Sequence, residues 1–140
     1  MDLGTITTIL TSLGIGGLIG NFFQSFLQSK GKINEREFNF KEQRYKALMI
    51  LMWTSLNPKS ELKHLRFYRE DILDIKTLHR ELKLELYNSL LYAEDNVIYS
   101  LRKFIEKINH QNYSSVALEM RKDLYGKKTK INFEDIKIKL

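Results

Sequence analysis

Residues 3–29 carry no formal charge, and Lys30, Lys32 and Arg36 follow at once. As one helix these 27 residues extend about 40 Å, against a hydrocarbon core of roughly 30 Å. The run predicts a single membrane-spanning helix. A secretory signal fits less well, because it needs a basic residue ahead of its apolar stretch and no Lys or Arg precedes residue 30. A buried core helix matches the dilution by five glycines and by Asn21, Gln24 and Gln28, but not the length.

The rest of the chain alternates with helical period. Residues 33–56 read as a second helix, with Tyr45, Leu48, Met49, Met52 and Leu56 on its core stripe. Asn57-Pro58 ends it. Residues 57–76 are the least periodic stretch, with one short helix after Ser60. Residues 77–93 repeat Leu78, Leu82, Leu86 and Leu90 at intervals of four. A helix capped by Asp95 then presents Val97, Leu101, Phe104, Ile105 and Ile108 on one face. The next starts near residues 112–114, carries Val116, Ala117, Met120 and Leu124, and stops at Gly126. Asn132 caps either a last short helix with Glu134 and Asp135 in its first turn, or gives way to a strand through Ile136, Ile138 and Leu140. The expected class is all-α. A transmembrane helix (1–29) precedes a cytoplasmic bundle of about four helices (30–126) and a basic tail (127–140).

Within the first run, Thr8, Ser12, Gly16, Gly20, Gln24 and Gln28 recur at every fourth residue, with Gly17, Asn21 and Ser25 beside them. Small residues at that spacing let membrane helices approach closely, and one span has only another copy to meet. The amides of Asn21, Gln24 and Gln28 prefer each other or water to lipid, so they are candidates for packing or for a shared lumen. The glycine-rich run from Gly14 to Gly20 is not a nucleotide loop. The dinucleotide fingerprint needs glycine where Ile19 stands, and the Lys-Ser/Thr of a phosphate loop is absent.

Charge sets orientation. All 23 Lys and Arg lie after residue 29, and Lys30, Lys32, Arg36, Lys41, Arg44 and Lys46 fall near the end of the span. The positive-inside rule then places the C-terminal domain in the cytoplasm, with the N-terminus outside. Against 16 acidic residues (all of the chain's but Asp2), that domain has a formal charge of +7. The chain has no cysteine, hence no disulfide and no thiolate metal site.

Catalytic patterns are sparse. His64, His79 and His110 stand at no metal-ligand spacing, and no arginine has a histidine at the Arg-x4-6-His spacing of the small helical ribonucleases. Glu70-Asp71 and Glu94-Asp95 are neighbours, which point to different faces of a helix. No enzyme activity, cofactor or metal is expected. Two segments are candidates for phosphate. Lys63, His64, Arg66 and Arg69 are interleaved with Phe67 and Tyr68, a pairing that can hold phosphates and stack bases. Arg121, Lys122, Lys127, Lys128 and Lys130 lie within ten residues, opposed only by Asp123. That cluster suits anionic headgroups or the phosphates of a nucleotide or oligonucleotide.

With its closing MRKDLYGKKTK, the layout resembles small bacterial proteins with one N-terminal span and a cytoplasmic helical domain. It is also similar to membrane effectors of antiphage operons, the Hailong and CBASS types and ancillary CRISPR membrane proteins among them. The resemblance covers the layout and this one motif. It implies a homo-oligomeric effector, a pore or ion channel, gated by a nucleotide or nucleic-acid signal and paired with an enzyme of the same operon. The alternative is a membrane-anchored protein-interaction module without a pore.

Overall fold

Helices begin and end where side chains can satisfy the backbone groups that a helix end leaves open. The computed structural model describes the backbone of residues 15–126 and 130–136, and side chains from Asn34 onward except Phe133 within those ranges. All regular structure among them is helical: α1 (Ile15–Leu56), α2 (Pro58–Leu65), α3 (Ile75–Ser89), α4 (Asp95–Glu106), α5 (His110–Tyr125) and α6 (Phe133–Ile136). The all-α class and a bundle built on four longer helices agree with the hydrophobic pattern.

The chain divides into two compact units, with the division after Asn39, inside α1. In the first unit the described residues are helical, and residues 34–37 are exposed. Among the described residues no helix is long and apolar enough to cross a membrane. Residues 3–14 of the expected span, Ser12 included, lie outside them.

In the second unit the core forms around α1. Tyr45, Leu48, Leu51 and Met52 are buried with Leu78 and Leu82 of α3, Val97, Leu101 and Phe104 of α4, and Val116 and Met120 of α5. Thr54 and Ser55 are buried too. Each hydroxyl donates to the carbonyl four residues back (2.9 Å to Ile50 and 2.9 Å to Leu51), so neither burial leaves a polar group unmet.

Caps fix the connections. Pro58 opens α2, where its missing N–H costs nothing. Asp74 and Thr77 form a reciprocal capping box (Thr77 N–H to Asp74 Oδ1 2.7 Å, Asp74 N–H to Thr77 Oγ1 3.0 Å), so α3 starts at Ile75, ahead of the expected residue 77. Asp95 lies in the first turn of α4 and is not its cap; Glu94 takes that position without a side-chain bond. Asn109 caps α5 (Asn112 N–H to Oδ1 2.8 Å), and Gly126 ends it at φ 59°, the left-handed conformation that favours glycine. Asn132 accepts from Glu134 N–H (2.9 Å) and Asp135 N–H (3.2 Å), and Asp135 accepts from Asn132 N–H (2.8 Å). The short helix foreseen there is α6.

Two polar knots hold α1 to the other helices. The Asp123 side chain of α5 is only 1% exposed, yet it accepts from Lys41 Nζ (2.7 Å), the Tyr45 hydroxyl and Glu94 N–H (3.0 Å). Burial alone would raise its pKa; the Lys41, Tyr45 and Glu94 donors outweigh burial and hold the carboxyl below its usual range. One turn further along α1, Arg44 Nη2 donates to both oxygens of the buried Glu85 of α3 (2.5 and 2.6 Å). Tyr92 packs over both knots, 5.8 Å between ring centroids from Tyr45 and from Phe40.

Asp123→Asn removes the charge that faces Lys41 and should destabilise the unit by about 2–4 kcal/mol, the lower figure because Lys41 is partly exposed. The sign with pH follows from the lowered folded pKa. The contribution is complete above the unfolded carboxyl's value, about 4, and is lost as pH falls through the folded value. Thermal melts of both forms should therefore differ most near neutrality and converge in acid.

Candidate functional site

The outer side of α1 presents an apolar surface. Ile50 and Trp53 point outward, 56% and 42% exposed, although they belong to the most hydrophobic stretch of the helix. A groove of about 430 Å³ runs along one flank, between α1, α2 and the start of α5. Leu51 and Leu65 form its floor, and Trp53, Tyr68 and Tyr113 its walls. Trp53 is set by edge contacts with Tyr113 (5.9 Å) and His110 (6.2 Å). A second groove, about 510 Å³, lies on the other flank between α1 and α5, with Ala117, Met120 and Leu124 facing Met49 and Ile50. Glu61 and His64 belong to the first groove, Glu42, Lys46 and Arg121 to the second, so charges of both signs accompany the apolar ridge.

The expected phosphate-binding residues are spread over this unit. His64 and Arg69 line the first groove, Arg121 the second, and Lys122 a separate open depression with Asn96, Tyr99 and Lys103. Several are engaged within the fold. Arg69 donates to Asp71 (2.9 and 2.8 Å) and to Glu81 of α3 (2.8 Å). Those hydrogen bonds, Asp71 first and Glu81 next, push its pKa further up. Arg66 donates to the Leu73 carbonyl, and Lys122 to Glu119 (2.5 Å). Both arginines thus brace the 66–74 turn. Arg121 and Lys130 are exposed; Lys127 and Lys128 lie outside the described residues. Phe67 and Tyr68 are both largely exposed, so the aromatics of this segment do not fill the core.

The expected packing residues Gly16, Gly20, Asn21, Gln24 and Gln28 fall in the backbone of α1, where no side chain is described. Among the described residues, no group of His, Asp or Glu is placed to hold a metal ion.

A second surface was missed in the linear pattern. Lys76, Arg80 and Lys83 stand at i, i+4 and i+7 on α3, opposite Leu78, Leu82 and Glu85, and all three are exposed. Ile75, Leu84 and Tyr87 share a shallow hollow with them. The spacing alone is a usable signal, but the leucine repeat on the same helix obscures it.

Neither a family model, nor a curated protein, nor a solved structure matches this chain, so the geometry of its own surfaces carries the functional reading.

Proposed function

We propose that the chain is a homo-oligomeric, membrane-attached effector whose helical domain acts by binding and not by catalysis. The observation that carries the reading is the Ile50–Trp53 ridge with a groove on either flank. A ridge beside its own groove is self-complementary: a copy related by a two-fold axis can place the same ridge in the opposite groove. Glu61 of the first groove can then meet Arg121 of that copy, while Glu42 and Lys46 are paired with each other within the chain (3.0 Å). The uncharged residues 3–29 support membrane attachment, and the Ser12, Gly16, Gly20 spacing supports association in the bilayer.

Two activities fit this assembly. In one, Asn21, Gln24 and Gln28 of several copies line a pore, in the manner of antiphage membrane effectors. A nucleotide or oligonucleotide signal would then be read by Arg121 with Lys127, Lys128 and Lys130, because Arg66, Arg69 and Lys122 are engaged elsewhere. In the other, the helix is an anchor and the oligomer displays docking surfaces.

The mass of the purified chain in detergent tests the assembly. The wild type is expected to be larger than a monomer, and Ile50→Glu with Trp53→Glu is expected to lower the mass. A monomeric wild type overturns the proposal. Dye release from vesicles separates the two activities. Release that is suppressed by Gly16→Leu and Gly20→Leu marks a pore, whereas tight vesicles around an intact oligomer mark the anchor.

A further inference from the structure

The cationic stripe on α3 has no counterpart in that reading. Lys76, Arg80 and Lys83 make no ion pair with any described residue, although acidic side chains are close by on the same helix. Those acids are already held. Glu81 binds Arg69, as does Asp71, and Glu85 is buried under Arg44. The stripe is therefore cationic along its length; Asp74, beside Lys76 at the helix start, is engaged by Thr77.

Its neighbours are apolar. Tyr87 continues the line by another turn and is 68% exposed, Leu84 stands beside it, and Leu91, 87% exposed, follows just past the helix. A single-stranded nucleic acid is held by a cationic groove with a series of aromatic stacking platforms, whereas here one tyrosine is accompanied by two exposed leucines. The same set suits the edge of a bilayer. Cations meet headgroup phosphates there, a tyrosine sits at headgroup level, and leucines enter the acyl boundary.

We propose that this face of α3 docks on anionic lipid, with Lys76, Arg80 and Lys83 on the headgroup phosphates and Leu84, Tyr87 and Leu91 at the acyl boundary. The proposal rests on the membrane-attached reading. It adds that the helical domain lies on the bilayer through α3, held electrostatically, and so can be released by salt or by loss of anionic lipid.

Because the chain has no cysteine, Leu90→Cys takes a single polarity-sensitive dye on this face. The labelled full-length chain is mixed with vesicles of phosphatidylcholine, with vesicles that also contain phosphatidylglycerol, or with an oligonucleotide. The expected result is a blue shift with the phosphatidylglycerol vesicles alone, diminished by added salt and lost in Lys76→Gln, Arg80→Gln, Lys83→Gln. Equal emission in the two kinds of vesicle overturns the proposal, as does a shift that survives the triple substitution, or a response to the oligonucleotide alone. Circular dichroism checks that the triple variant is helical, and the salt titration of the unsubstituted face tests the same point without it. Flotation with phosphatidylcholine vesicles reports membrane attachment separately. A chain that floats without a blue shift defeats only this proposal, and a chain that does not float defeats the reading beneath it.

Discussion

The bundle depends on one buried carboxylate. Asp123 sits at the end of α5 with almost no contact with water, where an unmet charge costs several kcal/mol. It is tolerable there because three donors converge on it: an ammonium and a hydroxyl from α1 and the backbone N–H at the start of α4. Three segments far apart in sequence are thereby held at one point. Hydrophobic burial supplies most of the driving force for folding, but it is non-directional. The Asp123 bonds specify which faces of α1 and α5 meet.

The same economy of charge shapes the surface. Lys41 and Arg44 look like juxtamembrane cations, and Arg69 and Lys122 look like phosphate ligands; each is paired within the bundle. The total of 23 Lys and Arg thus overstates how much of the protein is free to meet an anion. What remains is segregated. The outer side of α1 is apolar with mixed charges nearby, while the exposed face of α3 presents cations and aliphatics, its neighbouring acids Asp71, Asp74 and Glu81 each engaged within the fold. Surfaces of such different chemistry suit different occupants, a second copy for the first and lipid for the second.

Much of this fold was legible in the sequence because the signals are local. Gly126 and Asn132 act at helix ends through bonds that span two to four residues, and the Val97–Leu101–Phe104 stripe reports its own burial. Asn109 is equally local, yet the apolar pattern points to a start near residues 112–114, and α5 begins at His110. The leucine repeat on α3 shows how such a signal decays. Each four-residue step turns about 40° past a full rotation, so Leu78 and Leu82 are buried, Leu86 is half-buried and Leu90 is exposed beyond the helix end. The Asp74–Thr77 box was as local as the other caps and was overlooked because the apolar period starts later. The two knots were not legible, since their partners are separated by 82 and 41 residues and nothing in a linear pattern joins them. For that reason the candidate phosphate residues were grouped by sequence, whereas the fold distributes them over separate surfaces.

A double-mutant cycle between Lys41 and Asp123, with Lys41→Met and Asp123→Asn, tests the central claim most directly. Denaturant unfolding of the four forms isolates the coupling from the separate effects of each substitution. If this pair helps to clamp α1 to α5, the coupling should be about 1–3 kcal/mol, with Lys41→Met costing little once Asp123 is gone. Strictly additive losses would mean that the two groups do not meet, and would contradict the account.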